Sequence, residues 1–171
     1  MVCYTGSIVV PFARKRVFEL MGDWTNLCKW DTLITSSVAA SPETVPGVGA
    51  KYDATFDLRG RPLPVDYICT KYDPPTYAEF EATASMFKSR DWVRCEDTEQ
   101  ADHTKVTASF DLSFRGILAP FSFLMDKAMQ KTGPLVIKDI GTFLHDNLAE
   151  PGSNTDQESS TKQADTETPE S

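Results

Sequence analysis

The chain contains no run of about 18–20 apolar residues, the length a helix needs to cross a bilayer. It also lacks a basic start followed by an apolar stretch of the secretory kind. No CxxC pair is present: Cys3, Cys28, Cys69 and Cys95 stand far apart, with no histidine at metal-ligand spacing. The thiols therefore read as small buried hydrophobes in a reducing compartment, and a cytoplasmic location is expected. There are only two histidines, His103 in a polar turn and His145 near the end of the last helix. GxSxG, HExxH, P-loop and GxGxxG patterns are all missing. Gly47-Val48-Gly49 leads into a strand, so it lacks the helix N-terminus that a phosphate loop requires. No lysine and arginine cluster interleaves with aromatics, which argues against nucleic acid as a partner. Nothing in the pattern calls for a metal or a cofactor.

What the chain does have is enough length, 171 residues, for one domain with a substantial core. Its net charge of −8 is unevenly spread. Residues 149–171 carry −5 and the other 148 carry −3. That last segment has no aromatic residue and is rich in Ser, Thr and acids, so it is expected to be a disordered acidic tail. The folded domain is expected to span 1–148.

Period-2 alternation dominates the middle of the chain. Tyr52, Ala54, Phe56 and Leu58 share one face, with Lys51, Asp53, Thr55 and Asp57 on the other. The same holds for Ala78, Phe80, Ala82, Ala84 and Met86, and for Val106, Ala108, Phe110, Leu112 and Phe114. Such segments are strands with one buried and one wet face. Further strands are expected at 7–10, 34–39, 65–72 and 92–95, giving about seven in a meander with a turn at Asp73-Pro74-Pro75-Thr76. In 65–72 the pattern slips: Val65, Tyr67 and Cys69 share a face, while Ile68 and Tyr72 lie opposite, so a β-bulge is expected.

Helical spacing predicts a helix over 12–21 ended by Gly22, and a short helix from an Asp23 cap to Leu27. A long last helix is predicted from Pro120, with Phe121, Met125, Met129, Val136, Ile140, Phe143 and Leu144 at helical intervals. Gly133-Pro134 interrupts it, because Pro134 cannot donate to the carbonyl four residues back. One long kinked helix is expected. The kink is read either as a gate for ligand entry or as a fixed bend fitting the helix to a curved sheet.

The buried faces of the clean strands carry almost no titratable group. Tyr52, Tyr67, Asp91 and Arg94 are the few polar side chains that could face the interior, and the alternation around Trp92 can be phased either way. The remaining interior inventory is Phe56, Phe80, Met86, Phe110, Leu112, Phe114, Met125 and Met129, interleaved with small alanines. A face alternating large and small residues against one helix leaves room for a pocket.

The run IVVPFARKRVFELMGDWTNLCKWD (8–31), the GVGAKY at 47–52, Thr104–Val106, Arg115-Gly116 and the long last helix resemble the helix-grip superfamily of START-like and SRPBCC proteins. Within it, the chain is most similar to the polyketide cyclase/dehydrase and lipid-transport branch. The resemblance implies an α+β fold: about seven antiparallel strands, curved around a long C-terminal helix, with two short helices after the first strand. It further implies binding or transport of a small hydrophobic ligand (lipid, isoprenoid or polyketide-like) in a cavity between sheet and last helix, with transient membrane contact as an accompaniment. Cavity candidates are Tyr52, Ala54, Phe56, Tyr67, Phe80, Phe110, Leu112, Phe114, Met125 and Met129. Two alternatives stand beside this reading. One is a cyclase- or dehydratase-like enzyme using Tyr52, Tyr67, Asp91 or Arg94; the other is a protein-interaction module acting through the sheet surface or the acidic tail. The apolar interior favours the carrier and leans away from catalysis.

Overall fold

The computed structural model describes residues 2–58, 60–115 and 122–149, with side chains of the last helix described from Asp126 onward. The expected acidic tail falls outside these residues except for Ala149, as do Pro120, Phe121 and the side chain of Met125.

Seven strands form one antiparallel sheet. They are β1 (Val2–Val10), β2 (Ile34–Ala39), β3 (Lys51–Asp57), β4 (Pro62–Asp73), β5 (Tyr77–Thr83), β6 (Phe87–Asp97) and β7 (Thr104–Phe114). Strands β2 to β7 run as a meander, and β1 joins the far edge beside β7, giving the order β1-β7-β6-β5-β4-β3-β2. Between β1 and β2 lie α1 (Arg14–Met21), a single 3₁₀ turn (Trp24–Asn26) and α2 (Leu27–Trp30). The last helix, α3 (Ser122–Leu148), runs unbroken through Pro134 and packs chiefly on β1, with further contacts to α1 and α2. The expected α+β helix-grip architecture is what the chain forms.

Local chemistry explains the boundaries. Gly22 closes α1 by donating its N–H to the Phe18 carbonyl. Asp23 accepts from Thr25 N at 3.0 Å, satisfying a free donor at the start of the 3₁₀ turn. The bulge expected in β4 lies between Cys69 and Lys71. It returns Tyr72 to the inner face, where its ring packs 5.3 Å from Phe18. Two strands are longer than their alternation suggested. In β1, Val2, Tyr4 and Gly6 continue the inward series of Ile8 and Val10. In β6, the inward positions before Val93 are Phe87, Ser89 and Asp91, and the polarity of the last two hid the strand.

The concave face is filled mostly from the α1–α2 segment. Trp24, fully buried, stacks on Phe80 with ring centroids 3.8 Å apart and planes 18° from parallel. Trp30 packs edge-on against Trp24 and lies 6.3 Å from Phe110. Val17, Phe18, Met21 and Leu27 complete this layer. The space expected from the small alanines of the sheet is therefore largely occupied by large side chains of the same chain.

Helix α3 meets β1 through glycines. A Cβ on Gly133 would lie 2.5–2.6 Å from three atoms of the Tyr4 ring, and one on Gly6 would lie 2.6 Å from Ile137 Cγ1. Gly133 is thus a close-approach residue as well as a weak point of the helix. At Gly141 the neighbour is only the terminal methyl of Ile8, at 2.5 Å. Gly133→Ala should therefore lower stability by about 1–3 kcal/mol through overpacking, despite a helix-propensity gain of up to about 1 kcal/mol. Gly141→Ala should cost less, because a side-chain tip can swing away. Urea denaturation of the two variants checks the order, and a Gly133→Ala protein as stable as the parent would contradict the packing account.

Candidate functional site

Among the described residues, a small chamber lies in the interior at the end of the sheet where β3, β5 and β7 finish. Its volume is about 50 Å³. Apolar walls come from Leu33, Ile34, Phe56, Phe87, Phe110, Leu112, Met129 and Val136. Five polar side chains break that surface: Asp31 just after α2, Tyr67 on β4, Ser89 and Asp91 on β6, and Thr132 on α3, whose hydroxyl donates to the Ala128 carbonyl at 3.0 Å. A volume of this size holds a small cluster of waters or a ligand's head group, whereas pockets for whole drug-sized molecules start near about 300 Å³.

Asp91 is the unusual member. It is 4 % exposed, and its Oδ1 has no hydrogen-bond partner among the described residues. Burial pushes its carboxyl up to about 7, helped by the charge of Asp31 and opposed by the nearby hydroxyls of Ser89 and Tyr67. Asp31 as a residue is only half-buried, but its carboxyl is desolvated and is pushed up to about 6, in spite of the Leu33 N–H it accepts at 2.9 Å. The Tyr67 phenol is driven well above its usual value, first by burial and then by the charges of Asp91 and Asp31. Two acids and a phenol thus share a low-dielectric space with no cation among the described residues that line it. Among the described residues no three His, Cys, Asp or Glu side chains converge as metal ligands would.

The ten cavity candidates separate cleanly. Phe56, Tyr67, Phe110, Leu112 and Met129 line the chamber. Phe80 is covered by Trp24, and Phe114 is half-buried beside Phe87 at 6.3 Å. Tyr52 and Ala54 are buried in the core away from the chamber lining. The Tyr52 hydroxyl has no hydrogen-bond partner among the described residues, and burial pushes it up to about 12. Met125 lies outside the described side chains. Of the polar candidates, Tyr67 and Asp91 converge, while Arg94 points outward and stacks over Tyr77 and Trp92 at 5.4 and 5.7 Å. The interior is therefore less free of titratable groups than the alternation implied. Asp31 and Ser89 escaped notice because one follows a short helix and the other sits in a polar-looking stretch.

A wider groove of about 870 Å³ opens at the other end of the sheet, between the first turn of α1 and the ends of β4 and β6. Its charges largely neutralise one another or their neighbours: Arg14 pairs with Asp97 at 3.1 Å and Lys71 with Glu79 at 3.3 Å. It is an open surface channel whose lining mixes charges of both signs, and the chamber, with its buried, unpartnered Asp91 Oδ1, is the better site.

The raised acids carry a stability consequence. Folded, Asp31 and Asp91 hold protons up to about pH 6 and 7, whereas in the unfolded chain they release them near pH 4. The folded state binds more protons in that window, so their contribution is fully present below about pH 4 and is lost as pH rises through 7. Asp91→Asn should flatten this decline and leave the variant more stable than the parent at pH 8, by on the order of 2–3 kcal/mol. Urea denaturation at pH 5 and pH 8 measures it. Parallel pH profiles for the two proteins would contradict the assignment.

Comparison with known proteins agrees with this architecture. Residues 1–139 match the family described as polyketide cyclase/dehydrase and lipid transport. No curated protein matches the chain by sequence. Among solved structures, a START superfamily protein from Mycobacterium smegmatis superposes with a TM-score of 0.68 at 10% identity, covering 84% of this chain and 97% of that one. The ZhuI aromatase/cyclase from Streptomyces sp. R1128 gives 0.67 at 13% identity, with 86% and 96% covered. A protein from Thermus thermophilus gives 0.67 at 13% identity, with 86% and 99% covered. At such identities the likeness concerns the fold alone. With the match spanning most of its length, the chain belongs to the polyketide cyclase/dehydrase and lipid-transport family.

Proposed function

We propose that this protein binds a small, mostly apolar ligand between the sheet and α3, with the polar end of the ligand at Asp91 and Tyr67. The observation that carries the reading is the unpartnered, buried Oδ1 of Asp91 in a chamber whose other walls are chiefly apolar. An orphaned buried acceptor costs roughly 1–3 kcal/mol, which a ligand donor would recover on binding. Family membership supports the same reading, since lipid transport is part of the family's description.

Entry requires the chamber to enlarge, and α3 is built in two unlike halves. Beyond Gly133, Val136, Ile137, Ile140, Phe143, Leu144 and Leu148 are all buried. Before it, among the described side chains of 126–130, Asp126, Lys127, Ala128 and Gln130 are exposed and Met129 packs against the core. The break between anchored and loosely held turns coincides with Pro134, where a helical hydrogen bond is missing. In this reading the first half of α3 swings out to admit the ligand and the second half stays fixed.

A second reading is favoured by one observation. Tyr67 and Asp91 share the chamber, so a proton donor and a proton acceptor stand ready for a cyclisation or dehydration of a bound carbonyl compound. Turnover requires the same binding step first, so the carrier function is the simpler conclusion.

Native mass spectrometry of the purified protein should show a bound apolar adduct, and fluorescent fatty-acid or sterol probes should be taken up. A clean ligand-free mass together with no uptake would overturn the proposal. Pro134→Ala, which restores the missing helical donor and leaves the Gly133–Tyr4 contact intact, should slow probe exchange several-fold without loss of stability. Unchanged exchange would leave the proline as a fixed bend.

A further inference from the structure

Building on the ligand-binding reading above, we infer that the ligand's polar end is a cation: the chamber is shaped to receive a protonated amine carried on an apolar body. Three observations lead there. First, Asp31 and Asp91 line the same small space, and Asp91 presents a carboxylate oxygen that nothing else in the described structure engages. Second, no lysine, arginine or histidine lines the chamber among the described residues. Residues 116–125, whose side chains lie outside the described part, are GILAPFSFLM and contain no charged residue. Asp139 on α3 further raises the Asp31 carboxyl, and Asp111 on β7, itself paired with Arg90 at 3.6 Å, further raises that of Asp91. Every charged side chain that lines the chamber among the described residues is therefore acidic. Third, the volume of about 50 Å³ suits a head group of one or a few heavy atoms, such as an ammonium, with the body lying along Phe56, Leu112 and Met129.

Alternative occupants fit this chemistry less well. A carboxylate or phosphate head would meet two acids and no cation. A neutral carbonyl would find a donor only while the acids stayed protonated, and a neutral hydroxyl could donate to an ionised carboxylate but would give up the charge attraction that two carboxylates offer in a low-dielectric site. A divalent metal would find two carboxylates and no third ligand among the described residues. An ammonium donates up to three hydrogen bonds, which the Asp91, Asp31 and Tyr67 oxygens can accept. Phe56, Phe87 and Phe110 add ring faces or edges around it, and the faces attract cations.

The sign of the pH dependence separates these cases. Amine binding needs ionised acids, so affinity should rise from pH 5 to pH 7.5 and binding near pH 6 should release protons to the buffer. A neutral hydroxyl, which can pair with either state of a carboxyl, should show no such rise, and a carbonyl ligand should show the opposite trend. The experiment is isothermal titration calorimetry of the full chain with decylamine and with 1-decanol, both below their aggregation limits and in 0.3 M salt to screen surface charge. The expected result is at least tenfold tighter binding of decylamine at pH 7.5, reduced about tenfold or more at pH 5. In Asp91→Asn and, separately, Asp31→Asn, the amine preference should fall while decanol binding persists; circular dichroism melts confirm that each variant is folded. Decanol binding as tightly as decylamine at pH 7.5 would overturn the inference while leaving the ligand-binding reading intact. An amine preference that survives both substitutions would also overturn it, since it would come from the acidic surface. Failure of both probes to bind would count against this inference and the reading beneath it together.

Discussion

The stacking of Trp24 on Phe80 decides how much of the sheet's concave face remains for anything else. With the rings 3.8 Å apart and Trp24 fully buried, the 3₁₀ turn is pressed flat against the middle of the sheet. Trp24 also touches Tyr67 and Trp30, and its carbonyl accepts the Ser37 hydroxyl at 2.7 Å, tying the turn to the edge strand β2. A buried aromatic pair of this kind adds about 0.5–1.5 kcal/mol beyond the area it covers. Its larger effect is steric. One end of the interior is solid, and free space is pushed toward the other, under the first half of α3.

That residual space is where the fold departs from its own apolar rule. Strand β6 turns Ser89 and Asp91 inward, and α2 ends with Asp31 beside them. Burying a carboxyl without a cation raises its affinity for protons rather than leaving a bare charge, and both acids do this. The contrast with Glu79 on the outer face is instructive. Burial there also opposes the charge, but hydrogen bonds from Tyr77, Thr70 and Lys71 outweigh it, and the carboxyl is held below its usual range. Glu79 is a satisfied structural acid. Asp91 is an unsatisfied one, and perturbed, unsatisfied groups in cavities are where function concentrates.

Most of the architecture is legible from residue patterns because most strands obey strict alternation. Tyr52 to Phe56, Ala78 to Ala82 and Val106 to Phe110 announce both their strands and their buried faces. Even the bulge in β4 is visible as a slip between Cys69 and Tyr72. The beginning of β6 is not, because its inward polar residues erase the signal. The chamber is hidden for the same reason, together with a second one: the filling of the concave face depends on long-range packing. No local pattern says that Trp24 and Trp30 occupy the room left by alanines on β5, so Phe80 looks available in the sequence when it is covered in the fold. Gly133 likewise shows only its low helix propensity in the sequence, although its nearest neighbour is Tyr4, 129 positions earlier in the chain.

The chamber's chemistry depends on two carboxyls that stay buried without a cation. Carboxyl-detected ¹³C NMR of the ligand-free protein, titrated from pH 3 to pH 9, tests this directly. Asp91 should change state near pH 7 and Asp31 near pH 6, each far from the surface aspartates. If both titrate near pH 4 with the rest, the chamber is open to water or holds a counter-charge, and the central claim fails.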